Sequence, residues 1–203
     1  MKTKPRLLRI TTVPVSLKIL LTGQLFFFRA NGFEVFAASA GGPEVTSVTQ
    51  EGIRHTTIPM TRRITPVQDL ICLFRLIALI RRIRPQIVHT HTPKAGLLGM
   101  MAAWFCSVPV RLHTVAGLPL METKGMMRRM LVLTERVTYA CATKVFPNSR
   151  GLDEFIRREI RTDTPLKVIG NGSSNGIDTA YFQPTDELRL AAGEIRSRHG
   201  IAE

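Results

Sequence analysis

Gln86-Ile87-Val88-His89-Thr90-His91-Thr92-Pro93-Lys94-Ala95-Gly96 decides the fold. The run 86–92 is rich in β-branched residues and reads as a strand. The run 94–106 then reads as a helix, small along one side through Ala95, Gly96, Gly99, Ala102 and Ala103. A helix precedes the strand as well. Thr65-Pro66 supplies an N-cap and a first helical position, and the helical pattern extends to residue 84, where Pro85 follows. A strand set between two helices is the repeating unit of a parallel sheet.

Working outward, the same alternation fills the chain. Towards the N-terminus lie strand 53–58, helix 44–51, strand 33–39, helix 17–31 closed by Asn31-Gly32, and strand 7–13. Towards the C-terminus lie strand 110–115, helix 128–142, strand 144–147, helix 149–161 capped by Ser149, and strand 166–169. The last of these runs into Gly170-Asn171-Gly172-Ser173-Ser174-Asn175-Gly176, a loop with many residues that tolerate left-handed backbone. Seven strands separated mainly by helices predict an α/β fold: one Rossmann-like, doubly wound, mostly parallel sheet with helices on both faces.

Length and composition agree with one soluble-type core, since 203 residues with 44% hydrophobic content can bury one. The formal net charge of +13 favours anionic partners such as acidic lipid headgroups, phosphorylated small molecules or nucleic acid. Cys72, Cys106 and Cys141 are widely spaced in apolar runs and form no C-x-x-C pair, which predicts free thiols in a reducing compartment. Lys2, Lys4, Arg6 and Arg9 imitate a basic leader, but Lys18, Thr22, Gly23 and Gln24 interrupt the apolar run that a leader needs. The apolar stretch 70–80 contains Arg75 and spans about eleven residues, where a membrane crossing needs about twenty.

In a parallel sheet, ligands bind beyond the carboxyl ends of the strands. The candidate loops are therefore 13–18, 40–43, 89–94, 113–118, 148–150 and 171–178. His89 and His91 lie two apart on a strand and share a face. A metal site would need a third ligand that nothing nearby supplies, so polar strand-end residues lining a cleft floor is the preferred reading. Lys94, at a helix start, either meets a phosphate or sugar carboxylate or faces solvent. His113-Thr114 ends another strand, and Asn148-Ser149 another, with Ser149 explained by capping alone. There is no P-loop, no G-x-G-x-x-G and no nucleophile with a base at motif spacing.

Much of the charge lies in Arg62, Arg63, Arg75, Arg81, Arg82 and Arg84 and in Lys124, Arg128 and Arg129, the last group interleaved with Met126, Met127, Met130 and Leu131. A basic, Met-rich surface suits an anionic membrane. Two Tyr and one Trp give little for stacking, so no specific nucleic-acid partner is expected.

Taken in order, Thr11-Thr12-Val13-Pro14-Val15-Ser16, Ala30-Asn31-Gly32-Phe33-Glu34-Val35, the stretch 85–96, Arg111-Leu112-His113-Thr114-Val115-Ala116-Gly117-Leu118-Pro119, Val145-Phe146-Pro147-Asn148-Ser149 and the glycine-rich loop carry a resemblance. The chain resembles the N-terminal half of family 4 glycosyltransferases, retaining enzymes of GT-B fold, in the branch that builds capsule, O-antigen and exopolysaccharide. The resemblance implies an N-terminal acceptor-side domain over 1–182 and the start of an interdomain helix over 183–203. It implies a nucleotide-sugar donor, a polyprenyl-diphosphate-linked glycan acceptor, and no metal or other cofactor. It makes His113 the catalytic cleft histidine, hydrogen-bonded to the donor sugar. Val15, Ser16, His91, Lys94, Thr114, Asn148, Ser149 and Asn171 become substrate-binding candidates. Where many members have a glycine-rich first loop, this sequence has Val13-Pro14-Val15-Ser16. Glu135 matches a glutamate common on its helix, with a structural role an equal reading.

The family's donor-binding domain carries an Arg/Lys pair and an E-x7-E pair, and nothing after Phe182 resembles them; Glu187 and Glu194 lie seven apart. Three expectations follow. These residues alone turn over little or no substrate, and a separate donor-binding chain is a conceivable partner. The domain sits at the cytoplasmic face of the bacterial plasma membrane, touching anionic lipid through helices 65–84 and 124–136. The rival reading is a non-catalytic module that binds a glycan or nucleotide.

Overall fold

The computed structural model describes residues 4–173 and 179–201. Six parallel strands form one sheet in the order β3-β2-β1-β4-β5-β6. These are β1 (Arg6–Ile10), β2 (Glu34–Ser39), β3 (Arg54–Thr57), β4 (Ile87–His91), β5 (Val110–Val115) and β6 (Lys144–Pro147). The order reverses between β1 and β4, which are hydrogen-bonded neighbours with Leu8 opposite Val88 and Ile10 opposite Thr90. That reversal opens a crevice at the carboxyl ends of β1 and β4, the place where such sheets bind ligands.

Both faces are covered, so the central strands are largely buried rather than alternating between core and solvent. Val35 and Ala37 of β2 pack with α1 (Pro14–Ile19), α2 (Gln24–Ala30) and α3 (Val45–Gln50) through Leu17, Leu25 and Val48. Phe36 and Ala38 point the other way, into the larger core beneath α4 (Pro66–Ile83), α5 (Pro93–Phe105), α6 (Gly125–Cys141) and α7 (Arg150–Phe155). In α4 the buried set Cys72, Leu76, Ile77, Leu79, Ile80 and Ile83 follows the helical period, each large side chain contributing about 1.5–3 kcal/mol relative to exposure. All three cysteines are free thiols.

Several predicted boundaries change. The single helix expected over 17–31 is two, because Gly23 adopts φ 72° and the left-handed turn separates α1 from α2. The strand expected over 7–13 ends at Ile10, and Pro14 occupies the first turn of α1. The expected helix 149–161 is α7 followed by a π-helical turn over Ile156–Ile160. The seventh strand, 166–169, reduces to one bridge between Val145 and Leu166. The closing helix, α8 (Asp186–Arg198), has no buried residue.

Candidate functional site

A cavity of about 790 Å³ opens at the β1–β4 crevice. Its polar floor is built where strands end: Thr12 after β1, Thr92 and Pro93 after β4, Ser16 on α1, and Thr134 and Thr138 on α6. Its walls are apolar, from Ile19 and Leu20 on one side to Leu120, Met127, Met130 and Leu131 on the other. Arg62 and Ile64 stand on the rim contributed by the loop before α4.

The crevice floor is strained. Thr92 has φ 74° and ψ 146°, a region that β-branched residues avoid and that costs on the order of 1–3 kcal/mol. Its hydroxyl accepts from the Thr12 amide at 3.2 Å and pairs with the Thr12 hydroxyl at 2.8 Å. These bonds tie the ends of β1 and β4 together and hold the N-terminus of α5 at the cavity.

A second, smaller cavity of about 100 Å³ lies alongside, lined by His113, Thr114, the loop 115–118 and again Thr92, Pro93 and Glu135. His113 is 1% exposed and its Nδ1 shares a 2.8 Å hydrogen bond with the Thr90 hydroxyl. Its ring lies against Gly96 of α5, where a Cβ would fall 2.5 Å from Cε1, so only glycine admits the imidazole there. Burial pushes its pKa down to about 4, a bond to Thr90 working the other way. The imidazole is neutral at physiological pH and serves as a hydrogen-bonding group rather than a cation.

Glu135 is the buried carboxyl of the site, 6% exposed, on the inner face of α6. Burial pushes its pKa up to about 7, with the neighbouring Tyr139 hydroxyl drawing it back down. Neither Glu135 Oε2 nor the Tyr139 hydroxyl completes a hydrogen bond of ordinary geometry. The Tyr139 ring centroid lies 6.0 Å from that of His113, so Glu135, Tyr139 and His113 form one buried group beneath the two cavities.

The predicted site residues fall into separate places. Val15, Ser16 and Lys94 line the large cavity, and His113 and Thr114 the small one. The Lys94 ammonium is already paired with Asp69 at 2.7 Å and bonded to the Thr65 hydroxyl at 3.3 Å and the Arg63 carbonyl, which anchors the loop before α4. His91 lies on the opposite side of the sheet from His113. It stacks on His89 with ring centroids 4.3 Å apart, and its Nε2 has no hydrogen-bond partner. Ser149 Oγ accepts from the Leu152 amide at 3.1 Å and caps α7. At the β6 end Gly172, with φ 96°, lets its loop approach the Asn148 carbonyl, which accepts from the Ser173 amide at 2.6 Å. Asn171 itself is exposed, and the remainder of that candidate loop, 174–178, lies outside the described residues.

Arg9 changes character altogether. Noted in the sequence only as part of a basic N-terminal stretch, it is 1% exposed on β1, donating to His89 Nδ1 and Gln24 Oε1 and lying 5.3 Å from the Phe28 ring. Among the described residues no group of three His, Cys, Asp or Glu side chains is arranged to hold a metal ion. No helix among them is long and apolar enough to cross a membrane.

Residues 28–172 match a protein family described as glycosyl transferase 4-like domain. The chain is 36% identical over 179 residues to the capsular polysaccharide biosynthesis glycosyltransferase CapM of Staphylococcus aureus, covering 88% of this chain and 46% of that protein. It is 30% identical over 145 residues to the UDP-Gal:alpha-D-GlcNAc-diphosphoundecaprenol alpha-1,3-galactosyltransferase of Escherichia coli, covering 70% and 36% respectively. The chain thus spans less than half the length of these curated relatives. A glycosyltransferase crystal structure from Rickettsia africae superposes with a TM-score of 0.65 at 16% identity, over 100% of this chain and 51% of that one. The likeness identifies the fold as one Rossmann-like half of a GT-B architecture.

Proposed function

Because the chain belongs to the glycosyl transferase 4-like domain family, we propose that it forms the acceptor side of a glycosyltransferase. The reaction is transfer of a sugar from a nucleotide sugar to a polyprenyl-diphosphate-linked glycan in bacterial surface polysaccharide synthesis. The observation that carries this reading is the 790 Å³ cavity at the β1–β4 crevice. Its apolar walls suit a lipid chain and its hydroxyl floor suits a sugar and phosphate. One curated relative is named for a diphosphoundecaprenol-linked acceptor, which supports that ligand class.

In this reading a neutral His113 hydrogen-bonds the donor sugar from the small cavity. The 203 residues supply one wall of a reaction site. Transfer also needs a donor held opposite the acceptor and exclusion of water. The test measures labelled-sugar transfer to a lipid-linked acceptor by this chain alone and with the donor-binding half of the Staphylococcus aureus relative added as a second chain. Transfer only in the mixture supports the proposal. Turnover by the chain alone at about 1 per second or faster overturns its one-wall part. Acceptor binding with no transfer in the mixture favours a non-catalytic binding module.

The same reading sets the domain on the cytoplasmic face of the plasma membrane. On α4, Val67, Leu70, Ile71 and Phe74 follow an i, i+3, i+4, i+7 spacing and are all exposed, Phe74 by 62%. On α6, Met126, Met127, Met130 and Leu133 are exposed as well. Arg62, Arg63, Arg75, Lys124 and Arg129 are exposed near these stripes, whereas Arg128 is drawn into an ion pair with Glu159 at 2.6 Å. Each basic group near anionic headgroups contributes about 1 kcal/mol, and the apolar stripes add insertion. Co-sedimentation with vesicles should rise with anionic lipid and fall in Phe74→Glu; insensitivity to both would remove the membrane from the proposal.

A further inference from the structure

The large and small cavities share three lining residues: Thr92, Pro93 and Glu135. Proline has no amide hydrogen to offer, and the Thr92 hydroxyl is already bonded to Thr12. Glu135 alone among them carries a buried oxygen, Oε2, with no hydrogen-bond partner. Leaving a buried acceptor unmatched is costly, more so for a charged group, and native structures rarely do it without a reason. Tyr139, one turn along the same helix, acts on the Glu135 pKa but completes no hydrogen bond of ordinary geometry with Oε2.

Size says what can supply the missing donor. The small space, at about 100 Å³, is far smaller than the large one, at about 790 Å³. It has room for a hydroxyl or hydroxymethyl arm. The larger cavity has room for the ring itself. His113 lines the small space opposite and is neutral, so it offers one more hydrogen bond without adding charge. Apolar contacts from Val115 and Leu118 complete the lining.

We propose that Glu135 forms a hydroxyl-binding subsite at the junction of the two cavities, accepting a hydrogen bond from one arm of a hexose whose ring occupies the larger one. The subsite rests on the sugar-transferase reading, and the hexose is either the one transferred or the one that receives it. Glu135 is a positioning group here: it fixes which hydroxyl enters the small cavity and therefore how the ring is presented. No covalent step is assigned to it.

The experiment is a double-mutant cycle on ligand binding at pH 8.5 with the full 203-residue chain. The probes are a UDP-hexose and a hexose 1-diphosphate carrying a short alkyl chain, each also prepared lacking one hydroxyl at a time. Glu135→Gln keeps the side chain's shape, and its folding is checked by thermal unfolding. The expected result is that Glu135→Gln weakens one parent probe by about tenfold to hundredfold, the range of a hydrogen bond to a charged group. One deoxy form of that probe loses the same factor in the wild type and nothing further in the variant. The probe that shows this coupling says whether the donor or the acceptor hexose fills the subsite. If a parent probe binds but no hydroxyl couples to Glu135, the subsite is wrong and the sugar-transferase reading stands. If neither parent probe binds at millimolar concentration, the functional reading falls and takes the subsite with it.

Discussion

Two adjacent strands treat their two faces in opposite ways. On the α5–α6 side of the sheet, Thr90 of β4 is paired with His113 of β5, and that histidine lines a cavity with Glu135. On the α1–α3 side, His89 and His91 of β4 meet Thr114 and the buried Arg9, with Thr114 bonded to His89 Nε2 at 2.8 Å. The same two residue types thus appear crosswise, because neighbouring positions on a strand point to opposite faces. Arginine can only donate, so His89 accepts at Nδ1 and donates from Nε2 to Thr114, which fixes it as a neutral tautomer. Burial, with His91, Arg9 and His113 adding to it, holds the His89 pKa well below its usual value. Side-chain pairing makes one face a strut and the other a site.

Removing Arg9 is the strongest way to break this contrast. Arg9→Ala leaves a cavity and takes the donor from the part-buried acceptors His89 Nδ1 and Gln24 Oε1, which should cost about 3 kcal/mol or more in urea unfolding. Arg9 is itself an expensive residue. Among the described residues no carboxylate is paired with it, and burial brings its pKa down to about 10. Arg9→Met refills the space without the charge, while His89 Nδ1 and Gln24 Oε1 still lose their donor. We expect it to recover the packing part of the loss and to leave sugar binding unchanged. Loss of binding in a stably folded Arg9→Met would show that the strut face takes part in recognition.

This difference also marks what the sequence could disclose. The alternation of strands and helices was legible throughout, because apolar period and Gly/Pro punctuation are local properties. Pairing was not. The sequence shows that His89 and His91 share a face, but it shows Arg9 only as one of a cluster of N-terminal basic residues. Only the register of β1 against β4, with Arg9 opposite His89, reveals that its charge is internal. Thr92 gave no warning of its backbone conformation either, since β-branched residues are the last expected there. Lys94 was visible as a helix-start cation, yet its partner Asp69 is 25 residues away on another helix. Glu135 was noticed only through resemblance. Its signal is physical and three-dimensional: a carboxyl on the buried face of an otherwise amphipathic helix, at a place where two cavities meet.

A subtler probe of the same contrast is pH, because the two kinds of buried group pull in opposite directions. Glu135 has a folded pKa raised to about 7 from an ordinary 4.5, so the folded state holds a proton that the unfolded chain releases. Its contribution to stability therefore falls as pH rises from about 4.5 to 7, by at most about 3 kcal/mol at 1.36 kcal/mol per pH unit. His113 has its folded pKa lowered to about 4 from 6.5, and His89 and His91 shift the same way. Their contribution is present above pH 6.5 and is lost as pH falls towards 4, when the unfolded chain takes up protons that the folded one refuses. Urea midpoints measured from pH 4 to 8.5 should rise on the acid side and then flatten or dip near pH 7. In Glu135→Gln the acid limb should remain and the profile above pH 7 should lie higher than the wild type by up to about 3 kcal/mol. A variant no more stable than the wild type at pH 8 would mean that Glu135 gains a donor in the folded protein, and the unmatched oxygen on which the hydroxyl subsite rests would no longer need a sugar to satisfy it.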